Sequence, residues 1–305
     1  MLEPVVVYQD RSMCDRTAPR KPWQPRTLWS KLQTQTQYGL ATGALRPIDT
    51  QHEIISDGGV AFIVRILTNL NRKAQARKVQ TQKKINPFLP YDQNLHVTDI
   101  SDTHVCLLNK FNVVDHHFLI ITQSFESQLN WLTLADFEAL HRCLTDVAGL
   151  FFYNGGTVAG ASQPHKHLQV VPQPSMDVPV ETAIQATNFV DGMGQSPQLP
   201  YAHRIAKLPA NSGATQWLQT YRQLMTSLAI NDPTGQWQGV QYCAYNLLGT
   251  RSWMMVVPRH RDDYLGISVN SLGFAGSLLV KNQEQMAQLK EVGPMTLLKE
   301  VGQSI

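Results

Sequence analysis

One stretch narrows the possible folds of this chain more than any other: residues 155–172, GGTVAGASQPHKHLQVVP. A glycine-rich loop runs into an apolar segment of strand length. Side chains alternate between the faces of a strand, so His165, His167 and Gln169 share one face, and Lys166, Leu168 and Val170 the other. Such a strand belongs in a sheet whose apolar side is covered, leaving two imidazoles and an amide on the other side. Glycine reaches positive φ freely, so GGTVAGASQP is expected to present successive backbone N–H groups as an anion nest. Ser162 and Gln163 add side-chain donors.

Three kinds of chemistry fit two in-phase histidines. They can chelate zinc, but a third protein ligand is needed and no cysteine cluster supplies one. They can be structural, satisfied by hydrogen bonds. Or His167 can be a nucleophile, since neutral imidazole, with an unperturbed pKa of about 6.5, attacks phosphorus well near neutral pH. A covalent phosphoramidate splits one hard displacement into two easier ones. The other ring nitrogen then needs an acceptor, such as a backbone carbonyl. In that reading His165 steers or shares protons. Gln169 donates to a phosphate oxygen and cannot act as a strong acid.

Composition sets the outer bounds. With 305 residues, 43% hydrophobic and 16% charged, the chain has a globular and not a disordered composition. A net charge of +3 permits an anionic small molecule and falls short of a nucleic-acid footprint. Cys14, Cys106, Cys143 and Cys243 show no CxxC pairing, which suits free thiols in a reducing compartment. No apolar run approaches the roughly 20 residues of a membrane span. The N-terminus has no basic start followed by an apolar stretch, so no signal peptide is expected and the location expected is cytoplasmic.

Along the chain, four prolines in the first 26 residues (Pro4, Pro19, Pro22, Pro25) read as an extended arm. A helix is expected over 27–39 and a buried strand over 60–67. Arg65, Arg72, Lys73, Arg77, Lys78, Lys83 and Lys84 accumulate without an acidic residue between Asp57 and Asp92. That stretch is either a solvated connector or a basic flap meeting a polyphosphate. Strands are expected at 96–97, 103–109 and 117–122, with one of His116 and His117 facing the core or site. Thr133 with Asp136 resembles a capping box opening a helix to about residue 150, with Leu134, Phe137, Leu140, Leu144 and Val147 on one face. Residues 191–200 read as a linker between halves. A helix over 215–228, strands over 241–248 and 253–257, a loop over 270–273, a short apolar segment ending at Lys281 and an amphipathic helical C-terminus follow. Residues 106–121 and 244–260 echo each other, through an old duplication or as two ordinary hairpins.

ASQPHKHLQVVP resembles the active-site segment of the histidine-triad superfamily. Its third histidine is replaced here by Gln169, as in the nucleotidyltransferase (GalT-like) branch. ATGALRPI (41–48), INPFLPYDQNLHV (85–97), LNKFNVVDHHFLIIT (108–122), YNGGTVAGASQPHKHLQ (153–169) and NSLGFAGSLLVKN (270–282) are similar to the diadenosine tetraphosphate phosphorylase, or ATP adenylyltransferase, family. The resemblance implies an α+β fold: a histidine-triad-like antiparallel sheet with flanking helices, two related halves sharing one core. Residues 1–190 then carry the glycine-rich loop and the HKHLQ nucleophile strand, and 191–305 contribute substrate contacts. It implies catalytic roles for His167, His165, Gln169 and His117. It implies substrate contacts by Asn109, Asn154, Gly160, Ala161, Ser162, Gln163, Gln169, Asn270, Ser271, Leu272, Ser277 and Lys281. The implied reaction is reversible phosphorolysis of the dinucleotide to ATP and ADP through an AMP–histidine intermediate. No metal site and no tightly bound cofactor are expected. Mg2+ would accompany the polyphosphate. The expected partners are nucleotides and phosphate, with no nucleic-acid polymer and no membrane, in a monomer or homodimer. A dinucleotide hydrolase, a uridylyl- or guanylyltransferase and a nucleotide sensor without turnover are the alternatives.

Overall fold

The computed structural model describes residues 21–67 and 86–305. Pro4, Pro19, Cys14 and the basic run Arg72–Lys84 lie outside the described residues. In chain order come α1 (Leu28–Ala41), β1 (Thr50–Asp57), β2 (Val60–Leu67), β3 (His96–Asp99), β4 (His104–Leu108), β5 (Phe118–Thr122), α2 (Leu134–Asp146), β6 (Gly149–Gly155) and β7 (His167–Pro172). Then follow α3 (Glu181–Gln185), β8 (Asn188–Val190), β9 (Met193–Gln195), β10 (Arg204–Lys207), α4 (Ala214–Ser227), β11 (Tyr245–Gly249) and β12 (Trp253–Pro258). The chain closes with β13 (Asp263–Tyr264), β14 (Ile267–Ser268), α5 (Ser271–Phe274), β15 (Ser277–Val280), α6 (Gln283–Val292) and α7 (Pro294–Val301).

Ten strands form one antiparallel sheet in the order β3-β4-β5-β7-β6-β11-β12-β10-β9-β8. A smaller sheet, β1-β2-β15, holds a parallel pair, β2 with β15. The α+β architecture with flanking helices is thus as expected. On one face of the large sheet, Leu168 and Val170 of β7 join a cluster with Phe137, Leu140 and Leu144 of α2 and Trp217, Tyr221 and Leu224 of α4. Residues of both expected halves, from Leu28 to Val256, share that cluster. On the other face, Val171, Phe152, Leu248 and Val257 pack beneath β2, β15 and α6–α7. A third, small cluster of Phe88, Val105, Leu107, Leu119 and Ile121 also lies on that face. The polar side chains of His165, His167 and Gln169 occupy the strip between these two apolar clusters.

Several elements differ from the sequence reading, each for a local reason. The capping box is present, with Thr133 N–H donating to Asp136 Oδ2 at 2.7 Å. The helix it opens stops at Asp146, because Val147 is already extended (φ −135°, ψ 110°) and β6 begins two residues later. Gly149 lies so close to β7 that a Cβ there would stand 2.6 Å from the Val171 carbonyl oxygen. Leu134 is 38% exposed, and the buried stripe of α2 runs instead through Phe137, Ala139, Leu140, Cys143 and Leu144. β2 is buried on one face only, through Val60, Phe62, Val64 and Ile66. Its partner β1 carried no sequence signal recognised above. The expected linker is a β-hairpin at the sheet edge. Asp191 (φ 51°) and Gly192 (φ 79°) make its two-residue turn, a conformation that Asp-Gly favours. The expected domain boundary at 190/191 falls in that turn. The expected loop at 270–273 opens a helix, α5, with the Asn270 side chain accepting from Leu272 N–H at 3.0 Å. The two segments that echo each other fold as the hairpins β4–β5 and β11–β12 of one sheet.

Candidate active site

β7 pairs with β5 along Phe118↔Val170 to Ile121↔His167, and with β6 only as far as Phe152↔Gln169. Beyond that point the two strands part, so Asn154 and His167 do not pair. His165 lies outside the strand proper, in an isolated bridge with Ser127. The nucleophile candidate therefore sits where the sheet splits open.

His167 is 4% exposed. Its Nδ1–H donates to the carbonyl oxygen of His165 at 2.7 Å, which leaves Nε2 with its lone pair. Burial pulls its pKa down to about 4, against the opposing hydrogen bond to His165. The imidazole is thus uncharged at neutral pH. His165 is fully buried, and both its ring nitrogens are engaged. Nε2–H donates to the Thr122 carbonyl at 2.9 Å, with Thr122 Oγ1 at 2.8 Å, and Nδ1 accepts from the Asn86 amide at 3.0 Å. Burial first, and then the nearby His167, bring its pKa to about 4. Of the two roles expected for His165, steering fits and proton sharing does not: its carbonyl aims the His167 ring while its own ring is tied. The ring of Phe88 stands edge-on to both imidazoles, at 5.6 and 5.4 Å.

A relay of side chains fixes Gln169. The Asn109 amide donates to His117 Nδ1 at 3.2 Å, and His117 Nε2–H donates to Gln169 Oε1 at 3.1 Å. With its oxygen taken, the Gln169 amide has its NH2 arm left for an acceptor elsewhere, and the side chain is partly exposed. His117 is buried. His116 instead bonds Thr36 of α1 at 3.0 Å, with its ring against Trp29, so only one of the pair serves the site face.

The glycine loop offers less of a nest than expected. The N–H groups of Gly156, Ala159, Gly160 and Ala161 are spent on carbonyls within the segment itself. Gly156 (φ 93°) and Gly160 (φ 88°) carry the turn. A Cβ on Gly160 would lie 2.8 Å from both Asn270 Cβ and the Val269 carbonyl, so the loop meets the C-terminal half backbone to backbone. Ser162 is exposed.

Asn154, on the His167 face of β6, is held at a buried hub. Its Oδ1 accepts from Ser271 Oγ (2.7 Å), Ser271 N–H (3.0 Å) and Asn246 Nδ2 (2.9 Å). Asn246 in turn accepts from the Arg259 guanidinium at 2.6 Å and donates to the Ala159 carbonyl at 2.8 Å. Arg259 is buried with carbonyls of Val301, Val269, Arg261 and Asp262 as its other acceptors, and burial lowers its pKa to about 10. Asn154, Gly160, Asn270 and Ser271 are thus brought together, with Ala161 and Leu272 beside them in sequence. Ser277 starts β15, paired with Ile63 of β2. Lys281 is exposed and donates to the Gly266 carbonyl at 3.3 Å, so its described hydrogen bond leads away from the histidine strand.

Sequence reasoning missed Gln128, Asn86, Thr122, Asn246 and Arg259. Asn86 and Thr122 lay in segments already marked by resemblance, but no role was read for either. Two surface clefts, at Met176–Gln185 and at Lys21, Lys31 and Gln35, contain none of the residues above. Among the described residues no group of three or more His, Cys, Asp or Glu is placed to hold a metal ion, and no helix is long and apolar enough to cross a membrane.

An uncharged imidazole with one nitrogen tied and the other bearing its lone pair, beside amide donors, has the chemical make-up that covalent group transfer needs. Comparison with known proteins shows the family. Residues 18–186 match the family described as Ap4A phosphorylase N-terminal domain, and 197–304 match the ATP adenylyltransferase C-terminal domain. The chain is 30% identical over 258 residues to diadenosine 5',5'''-P1,P4-tetraphosphate phosphorylase 2 of Saccharomyces cerevisiae, covering 75% of this chain and 79% of that protein. The crystal structure of yeast Ap4A phosphorylase Apa2 in complex with AMP superposes with a TM-score of 0.76 at 26% identity, covering 91% of this chain and 98% of the other. The complex of Apa2 with Ap4A shares the fold, with a TM-score of 0.75 at 24% identity over 90% of this chain and 97% of that one. This chain belongs to the Ap4A phosphorylase family.

Proposed function

We propose that the protein phosphorolyses diadenosine tetraphosphate to ATP and ADP, reversibly, through an AMP–His167 intermediate. One observation carries the reading: Nδ1 of His167 is held protonated by the His165 carbonyl, which presents Nε2 as an uncharged nucleophile. In the first step the Nε2 lone pair forms a bond to the α-phosphorus. The bond from that phosphorus to the bridging oxygen breaks, and ATP leaves with the bonding electrons. The adenylylated ring carries a positive charge, and its Nδ1–H stays on the His165 carbonyl. In the second step an oxygen of inorganic phosphate attacks the same phosphorus, the N–P bond breaks, ADP leaves and His167 returns neutral.

The NH2 of Gln169, aimed by His117 and Asn109, donates to a phosphoryl oxygen as charge builds there. An amide has no proton equilibrium suited to activating water, so a ready anion such as phosphate is favoured as acceptor over water. Asn154, Ser271 and the loop 160–163 hold the polyphosphate in this reading, with Mg2+ arriving as part of the substrate. Lys281 and Ser277 contribute only to the distal portion.

Product analysis with purified protein and the dinucleotide tests the proposal. ADP, and turnover beyond one ATP per active site, should form only when phosphate is present, and without phosphate an acid-labile adenylyl adduct should accumulate with release of one equivalent of ATP. AMP and ATP formed in the absence of phosphate would point to a hydrolase and overturn it.

A further inference from the structure

β6 and β7 separate at the nucleophile, and a separated strand leaves backbone groups without partners. The side chain of Gln128, from the segment between β5 and α2, fills that gap. Its Oε1 accepts the backbone N–H of His167 at 2.8 Å. Its Nε2 donates to the Asn154 carbonyl at 2.9 Å and to the His167 carbonyl at 3.3 Å. One amide therefore replaces the ladder bonds that the two strands would have made to each other. Only this orientation of the amide pairs every donor with an acceptor.

Gln128 is itself fixed. It is 2% exposed. Its N–H donates to the Pro164 carbonyl at 2.8 Å, and the Tyr153 hydroxyl donates to its carbonyl at 2.5 Å. Lys166 N–H donates to the Glu126 carbonyl at 2.7 Å, so residues 126–128 line the approach to the nucleophile as a short surrogate strand.

We infer that Gln128 is a positioning residue for the transfer reaction, setting the distance between His167 and the Asn154 side of the polyphosphate site without touching substrate. The inference rests on the function proposed above. It implies that the separation of the two strands beside His167 is held to one width by an amide. Misplacement of reacting groups by about 1 Å costs roughly 100-fold in rate.

The test uses Gln128→Met, which keeps length and loses all three bonds, and Gln128→Glu, which keeps the acceptor for His167 N–H and loses the donors. Single-turnover rates of adenylylation and of phosphorolysis are measured per adenylylatable site, so that any unfolded fraction drops out. Gln128→Met should lower both rates about 100-fold with KM changed less than threefold, and Gln128→Glu should recover part of that loss. Equal rates per site in variant and wild type, with only a lower melting temperature, would reduce Gln128 to a structural role and overturn the inference. Should neither variant fold, native-state hydrogen exchange on the unaltered chain decides. The His167 amide should exchange as slowly as those of central β5, and fast exchange would overturn the inference. A wild type that forms no adduct at all would instead defeat the proposed function.

Discussion

Lys166 and His167 are consecutive residues, and the strand sends them into unlike surroundings. Lys166 turns to the helix side, 1% exposed, and donates to Asp136 Oδ2 at 2.7 Å and Glu126 Oε2 at 3.1 Å. Asp136 also accepts from His104 at 3.1 Å and closes the capping box of α2. His167 turns to a strip of imidazoles and amides in which hydrogen bonds are plentiful and formal charge is not. One face stores paired charge and anchors the strand. The other stays neutral, so that an anionic substrate meets donors without a resident counter-ion to displace. The buried ion cluster holds the strand, and in the proposed reaction the uncharged strip does the chemistry.

The sharpest attempt to break this division is His167→Ala. It should abolish the adenylyl adduct and lower turnover by about four orders of magnitude or more, as loss of a covalent nucleophile does. Its unfolding midpoint in urea should stay near that of wild type. A large loss of stability with residual adduct formation would merge the two roles. Lys166→Ala is the mirror experiment. It strands Asp136 beside His104, and breaking a buried pair in this way costs about 3–5 kcal/mol. Chemical denaturation should show that loss, while the folded fraction at low temperature should adenylylate at close to the wild-type rate.

Acid titration of stability separates the faces by window. His165 and His167, and with them the buried His203 of the second half, have folded pKa values of about 4, below the ordinary value near 6.5, so the unfolded chain binds their protons first. Their contribution is present above pH 6.5 and is lost as pH falls from about 6.5 to 4, on the order of 3 kcal/mol per ring. Burial alone would push Asp136 up, but hydrogen bonds from His104 and the charge of Lys166 hold it at about 2. Its contribution is present above about pH 4 and disappears between about 4 and 2. Stability measured against pH should fall in two stages, and Lys166→Ala should alter mainly the lower one. The same sign applies to catalysis: kcat/KM should hold between pH 7 and 5 and drop as pH falls through about 4.

The smallest expected effect concerns the hub. Arg259→Lys keeps the charge but loses the fork that reaches Asn246 and the carbonyls. Asn154 then loses its fixed orientation, and KM for the dinucleotide should rise about tenfold, the worth of roughly 1.4 kcal/mol, with kcat little changed. An unchanged KM would remove Asn154 from the substrate site.

The periodicity of the chain revealed what short-range rules govern. The shared face of His165, His167 and Gln169 follows from strand geometry, and the start of α2 follows from a Thr-x-x-Asp box. Long-range partners were not legible in this way. Gln128 sits in FESQLN, an unremarkable polar loop, and matters only because two distant strands part beside it. Arg259 reads as a surface cation until its carbonyl acceptors from 261, 269 and 301 surround it. The sequence reading carries α2 to about residue 150 and assigns no strand to β6, because a short apolar run fits helix and strand patterns alike. The aromatic content of GLFFYNG and its flanking glycines were the available arbiters. The loop 155–164 was credited with open N–H groups because glycine content reports conformational freedom, not where the freed donors go.

Within the large sheet, the seam between the first and second halves is the pair β6–β11, aligned from Phe151↔Gly249 to Gly155↔Tyr245, and every residue of both strands is buried. A fragment cut at residue 190 would therefore carry His117, His165 and His167 and still present β6 as a naked apolar border. Such a border is a template for other chains, so the fragment should aggregate before it could be assayed. Linkers and tags are better inserted elsewhere, and any circularly permuted version must keep those two strands together.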